Sequence, residues 1–146
     1  MLGMPALSNV RFEIMRSPRS SPRPRILIAD DHAEMLEKTR EVLADDFEVV
    51  AAVSNGQEAV DAASRLHPVA VVLDISMPVL SGFDAARQVL AQAHSPLVVF
   101  LTVHDDSACR EMAARMGASA WVLKRDLATD LVDVLHAALT TTRTPG

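Results

Sequence analysis

Val69-Ala70-Val71-Val72-Leu73-Asp74-Ile75-Ser76-Met77-Pro78 is an apolar run that delivers a single carboxylate at its end and then turns at a proline. Three other runs share this design. Ile26-Leu27-Ile28-Ala29 ends on Asp30-Asp31, Leu97-Val98-Val99-Phe100-Leu101 ends on Thr102, and Ser119-Ala120-Trp121-Val122-Leu123 ends on Lys124. Strands buried on both faces of a parallel sheet read as continuous apolar runs rather than as alternating ones. In open α/β sheets, ligands bind outside the carboxyl ends of the strands. Side by side, these four runs bring three carboxylates, a hydroxyl and an ammonium to one crevice.

The segments between the runs carry helical periodicity. A strand over 25–29 precedes a helix whose inner stripe is read as Ala33, Leu36, Thr39, Arg40 and Leu43, with Glu37 and Glu41 outside. A second strand covers 47–53, and Glu48 within it suggests a sheet edge. Asn55-Gly56 turns into a helix with Ala59, Ala62, Ala63 and Leu66 at the i, i+3, i+4, i+7 spacing, and His67-Pro68 stops it. After the strand at 69–73 come a helix over about 83–93, a strand over 97–101 and a helix over about 105–116 ended by Gly117. A strand over 119–123 and a helix over about 127–140 finish the pattern. Five strands interleaved with five helices predict an α/β fold, a doubly wound parallel sheet with right-handed crossovers.

The 146 residues suit one domain with one sizeable core, and an apolar fraction of 49% excludes a mostly disordered chain. The net charge of −5 is unevenly spread: residues 1–25 hold five Arg and one Glu, the remainder nine Lys/Arg and eighteen Asp/Glu. The acidic part is a poor partner for nucleic acid, which is bound through basic surface. Residues 1–24, with Ser17-Pro18-Arg19-Ser20-Ser21-Pro22-Arg23-Pro24, read as a disordered basic tail, 25–141 as the domain, and 142–146 as a short tail. The lone Cys109, the missing secretory signal and the lack of a membrane-length apolar stretch make the cytoplasm the expected compartment.

Asp30, Asp31 and Asp74 concentrate negative charge, which calls for a hard cation or raised pKa values. Mg²⁺, with Mn²⁺ as a substitute, suits oxygen ligands that leave positions open for phosphate. Lys124 offers a compact positive charge and Thr102 a hydroxyl for phosphoryl oxygens. A carboxylate is a competent nucleophile for phosphoryl transfer, and the loose transition state lets positioning and charge neutralisation carry the catalysis.

Ile28-Ala29-Asp30-Asp31-His32, Leu73-Asp74-Ile75-Ser76-Met77-Pro78 with Gly82, Leu101-Thr102 and Trp121-Val122-Leu123-Lys124, in this order and spacing, resemble the receiver domain of two-component response regulators. The resemblance covers about residues 25–140. His104-Asp105-Asp106 and Leu123-Lys124-Arg125 bring it nearest to NarL/FixJ-type receivers, which usually carry a helix-turn-helix output; the eight residues after Ala138 are too few for one, as expected of a stand-alone receiver or of a piece of a longer chain. It implies a flavodoxin-like sandwich with strand order 2-1-3-4-5. It also implies that Asp74 accepts a phosphoryl group from a phosphohistidine on a sensor histidine kinase or histidine phosphotransfer protein. Mg²⁺ would be held by Asp31, Asp74 and the backbone carbonyl of Ser76, with Asp30 acting largely through water. Thr102 and Lys124 would meet the phosphoryl oxygens, Thr102 and Trp121 would form the switch, and Ser76 and His104 would tune hydrolysis of the acyl phosphate. The expected role is a phosphoacceptor rather than a turnover enzyme, acting on a downstream protein or as a homodimer through the face at about 105–140. Two departures stand out: Arg125 follows the lysine where many receivers have proline, and Trp121 replaces the commoner Tyr or Phe.

Plainer readings compete at each position. Asp30 and Asp31 suit helix N-caps, Thr suits a strand end, Trp121 suits a core, and Cys109 reads as a small apolar helix residue. His32 and His104 sit among carboxylates without a chelating spacing. Met35 and Leu36 read either as helix packing or as a docking patch for the phosphodonor. The alternatives for the whole chain are a pseudo-receiver used for docking or dimerisation, the truncated half of a DNA-binding regulator, and an aspartyl phosphatase. The phosphatase reading lacks an acid two residues after the nucleophile, where Ser76 stands.

Overall fold

The computed structural model describes residues 22–143, with side chains to 141, so the tail readings for 1–21 and for 144–146 lie outside the described residues. Five strands, β1 (Arg25–Ala29), β2 (Glu48–Val53), β3 (Ala70–Leu73), β4 (Leu97–Thr102) and β5 (Ala120–Leu123), form one sheet in the order β2-β1-β3-β4-β5. Every pairing is parallel. Five helices alternate with them: α1 (Ala33–Leu43), α2 (Gly56–Leu66), α3 (Gly82–Leu90), α4 (Ser107–Met116) and α5 (Leu127–Arg143). This is the predicted doubly wound flavodoxin-like arrangement. Chain progression reverses between β1 and β3, which makes the ends of those two strands the switch point where ligands bind in such sheets.

Alternate strand residues serve opposite faces. Leu27, Ala29, Val71, Leu73, Val98 and Phe100 pack with Ala59, Ala62 and Ala63 of α2 and Ala85, Ala86 and Val89 of α3. Ile26, Ile28, Val72, Val99, Leu101 and Val122 pack with Leu43 of α1 and Leu127, Leu131 and Leu135 of α5. Both faces are covered, which is why the strands carry no polar alternation. Glu48 is exposed at the start of the edge strand β2, as its charge suggested.

Helix ends differ from the periodicity reading by a few residues. In α1 the buried positions are Thr39 and Leu43, flanked by partly buried Met35, Leu36 and Val42, whereas Ala33 and Arg40 face solvent. The Thr39 hydroxyl donates to the Met35 carbonyl at 2.7 Å, so this polar residue enters the core with its hydrogen bond satisfied. α3 stops at Leu90 rather than near 93, because residues 91–96 turn the chain back to β4 and Pro96 requires an extended predecessor. α4 starts at Ser107 rather than 105: Asp106 caps it, accepting from the Cys109 N–H at 2.8 Å. Ahead of β1, Arg23 donates to the Ala44 carbonyl and the Pro24 carbonyl accepts from Glu48 N–H at 2.9 Å.

Candidate phosphoryl and metal site at the strand tips

The strand tips are stitched together by backbone hydrogen bonds that bring the acids into register. Asp30 N–H donates to the Val53 carbonyl at 3.0 Å, and Asp74 N–H donates to the Ala29 carbonyl at 3.1 Å. Asp30 and Asp74 are each 4% exposed, while Asp31 stands further out. Lys124, on a short 3-10 turn directly after β5, reaches across with its ammonium 2.8 Å from Asp30 Oδ2 and 3.2 Å from Asp74 Oδ2. Fifty residues of sequence separation thus close into one ion-paired cage.

Donor atoms of Asp30, Asp31, His32 and Asp74 all lie within 4.8 Å of one another. His32 is the addition that spacing did not reveal. Its Nδ1 lies 3.1 Å from Asp31 Oδ1 and 3.2 Å from Asp30 Oδ1, and its backbone N–H donates to Asp30 Oδ1 at 2.9 Å. Proximity comes from the tight turn after Asp30, not from a helical repeat. The buried Asp30 Oδ2 has the Lys124 ammonium as its partner at 2.8 Å, while Asp30 Oδ1 faces His32. Three carboxylates brought this close and countered by a single ammonium are a fitting surround for a small hard cation.

The electrostatics follow. Burial pushes the Asp74 carboxyl above its ordinary value; Lys124 opposes that and Asp30 adds to it. Burial pulls the Lys124 ammonium down, but contact with Asp30 and the charge of Asp74 outweigh this and hold it above its ordinary value. Lys124 therefore stays charged, while the Asp74 carboxylate bears a charge that its burial disfavours.

Beside the cage, Thr102 is fully buried at the end of β4, its hydroxyl accepting from the His104 N–H at 3.2 Å. Trp121 on β5 is half-buried against Phe100 and Phe83, with ring centroids 5.8 and 6.5 Å away, and its indole N–H donates to the His104 carbonyl at 3.1 Å. The same peptide segment is thereby held by both residues, a link between Thr102 and Trp121 that spacing alone did not reveal. The side chains of His104 and Ser76 are exposed. Arg125 pairs with Asp105 at 3.6 Å, and no peptide among the described residues is cis. A groove of about 600 Å³ opens next to Lys124, lined by His32, Met35, Glu37, Glu41 and Val103 among others.

Residues 26–136 match the response regulator receiver domain family. The chain belongs to that family. A protein-glutamate methylesterase/protein-glutamine glutaminase of Shewanella frigidimarina is 34% identical over 116 residues, which are 76% of this chain and 29% of that protein. The transcriptional regulatory protein PdtaR of Mycobacterium tuberculosis is 34% identical, covering 79% of the chain and 56% of that protein. DegU of Brevibacillus brevis is 32% identical, over 76% of the chain and 48% of that protein. This receiver thus spans about half or less of the curated relatives it matches. Among solved structures, the response regulator domain of Thermotoga maritima CheB superposes with a TM-score of 0.76 at 26% identity, over 81% of this chain and 97% of that one. A LuxR-family two-component response regulator from Aurantimonas gives 0.77 at 28% identity, over 82% and 86%. The receiver is a two-component signalling module, and none of its described helices is long and apolar enough to cross a membrane.

Proposed function

We propose that this receiver accepts a phosphoryl group on Asp74 from the phosphohistidine of a sensor histidine kinase or histidine phosphotransfer protein, or from a small acyl phosphate. The observation that carries the reading is the approach of the Lys124 ammonium to 3.2 Å from the buried Asp74 carboxylate, with Asp30 and Asp31 alongside. An Asp74 carboxylate oxygen forms the new O–P bond while the donor's P–N bond breaks, the electron pair leaving with the imidazole nitrogen. Lys124 neutralises phosphoryl oxygens in that loose transition state, and Thr102 turns its hydroxyl to the phosphoryl group afterwards.

Asp31, Asp74 and the Ser76 carbonyl would hold Mg²⁺ (or Mn²⁺), with Asp30 supporting through water, and the ion would supply charge neutralisation for the transfer. Exposed Ser76 and His104 border the acceptor loop and the Thr102 loop, where they are suited to tune access of hydrolytic water. Output runs through Thr102 and Trp121 to the face formed by α4, β5 and α5, read by a downstream protein or a second copy in the cytoplasm. The domain occupies 25–141, and its acidic surface supports no direct nucleic-acid contact. The phosphoacceptor role is not that of a turnover enzyme.

The indole provides the test. Adding beryllofluoride and Mg²⁺ should change Trp121 fluorescence in the wild type and leave Asp74→Asn unchanged. A flat response in the wild type, or an equal one in the variant, would remove Asp74 from the acceptor role.

A further inference from the structure

Gly56 begins α2 without a positive φ, so no left-handed backbone requires glycine there. What requires it is space. A Cβ at position 56 would collide with the backbone oxygen of Leu80 and lie within 2.7 Å of the Leu80 carbonyl carbon. The first turn of α2 therefore rests directly on the backbone of the loop that runs from Asp74 to Gly82. That loop has little slack. Gly82 N–H donates to the Ile75 carbonyl at 2.7 Å, and a Cβ at Gly82 would collide with the Asp74 carbonyl oxygen. Leu80 N–H donates to the Pro78 carbonyl at 2.7 Å, closing a three-residue turn around Val79 at φ 69°. A β-branched residue there is strained, and such a turn persists only when its surroundings impose it.

We propose that Gly56 is a positioning residue for the phosphoacceptor loop: α2 backs the Leu80 carbonyl, and the two short hydrogen-bonded closures transmit that position to Asp74 and Ser76. This rests on the functional reading above for its consequence, but not for its geometry. Any atom added at position 56 displaces Leu80. The tight turn at Val79 cannot absorb the push by compressing further, so the displacement reaches Ile75, whose carbonyl Gly82 holds, and with it the neighbouring Asp74 carboxylate and Ser76 carbonyl. A helix packed on one face of the sheet beside α3, contributing no side chain to the site, thereby sets the site's geometry.

The test compares Gly56→Ala with Asn55→Ala, which removes the Asn55 cap to the Glu58 N–H at 2.9 Å but adds nothing against Leu80. In metal-free protein, Gly56→Ala is expected to move the backbone amide resonances of Asp74, Ile75 and Ser76, whereas Asn55→Ala moves only those of the α2 start. Mg²⁺ affinity should fall about 10- to 100-fold in Gly56→Ala, as for loss of outer-shell support, and stay within about twofold in Asn55→Ala. Should Gly56→Ala alone unfold, the same substitution in an Asp74→Asn background, which removes the disfavoured buried charge and leaves the Val79 turn intact, read against Asp74→Asn alone, provides the amide comparison. Unmoved amides at 74–76 overturn the proposal. If the wild type takes no Mg²⁺, the functional reading fails, while the amide shifts still decide the positioning.

Discussion

Asp74 sits in an environment that disfavours its own charge, and that has a consequence for stability. Burial raises its pKa above 3.8 in the folded protein. The folded state therefore binds more protons than the unfolded one between the ordinary value and the raised one, so the ionised carboxylate costs stability above that window. In metal-free protein, Asp74→Asn is expected to raise the denaturation midpoint at neutral pH. The advantage should fade as pH falls through the raised pKa, where Asp74 takes a proton. Adding Mg²⁺ should reverse the ranking, because a ligand stabilises only the form that binds it. Lys124 has the opposite sign. Its side chain is 8% exposed between two carboxylates that are each 5% exposed. Lys124→Ala leaves those charges without their cation and should cost about 3 kcal/mol at neutral pH, read by urea denaturation. That cost should shrink in mild acid.

At the scale of elements, helix starts and the acceptor loop carry the testable detail. Asn55→Ala is expected to destabilise by about 1 kcal/mol through loss of the cap, measured as a shift in denaturation midpoint. Val79 is 79% exposed at φ 69°, so a glycine there loses little burial and relieves a left-handed strain. Val79→Gly should therefore stabilise by roughly 0.5–1 kcal/mol, the relief being partly offset by the entropy of the unfolded glycine. The strands were legible from sequence because burial on both faces leaves no polar residue inside Val71-Val72-Leu73 or Val98-Val99-Phe100. Helix ends were less legible. Arg40 lies one residue from the buried Thr39, and helical spacing alone does not say which side of that residue the stripe extends. The stop of α3 at Leu90 is decided by the path back to Pro96, which is a tertiary demand.

Over the whole molecule, the parallel sheet converts four sequence-distant strand ends into one site. Its carboxylates and lysine were legible because each closes an apolar run. The contact of the His32 ring with both Asp30 and Asp31 was not, since adjacency in sequence does not say that the turn folds the imidazole back onto the two carboxylates. Gly56 was not legible as a contact with Leu80 either. Its own backbone conformation is ordinary, and only the packed fold shows what occupies the space of its missing Cβ. The same fold joins Thr102 and Trp121 through the His104 backbone, the connection that the proposed switch would use to reach the α4–β5–α5 face.

The most direct measurement is peptide mass mapping after incubation with acetyl phosphate and Mg²⁺. The expected result is one added phosphoryl group on the peptide containing Asp74, lost in Asp74→Asn and strongly reduced in Lys124→Ala. A phosphoryl group found elsewhere, or none on protein that demonstrably binds Mg²⁺, would contradict the account.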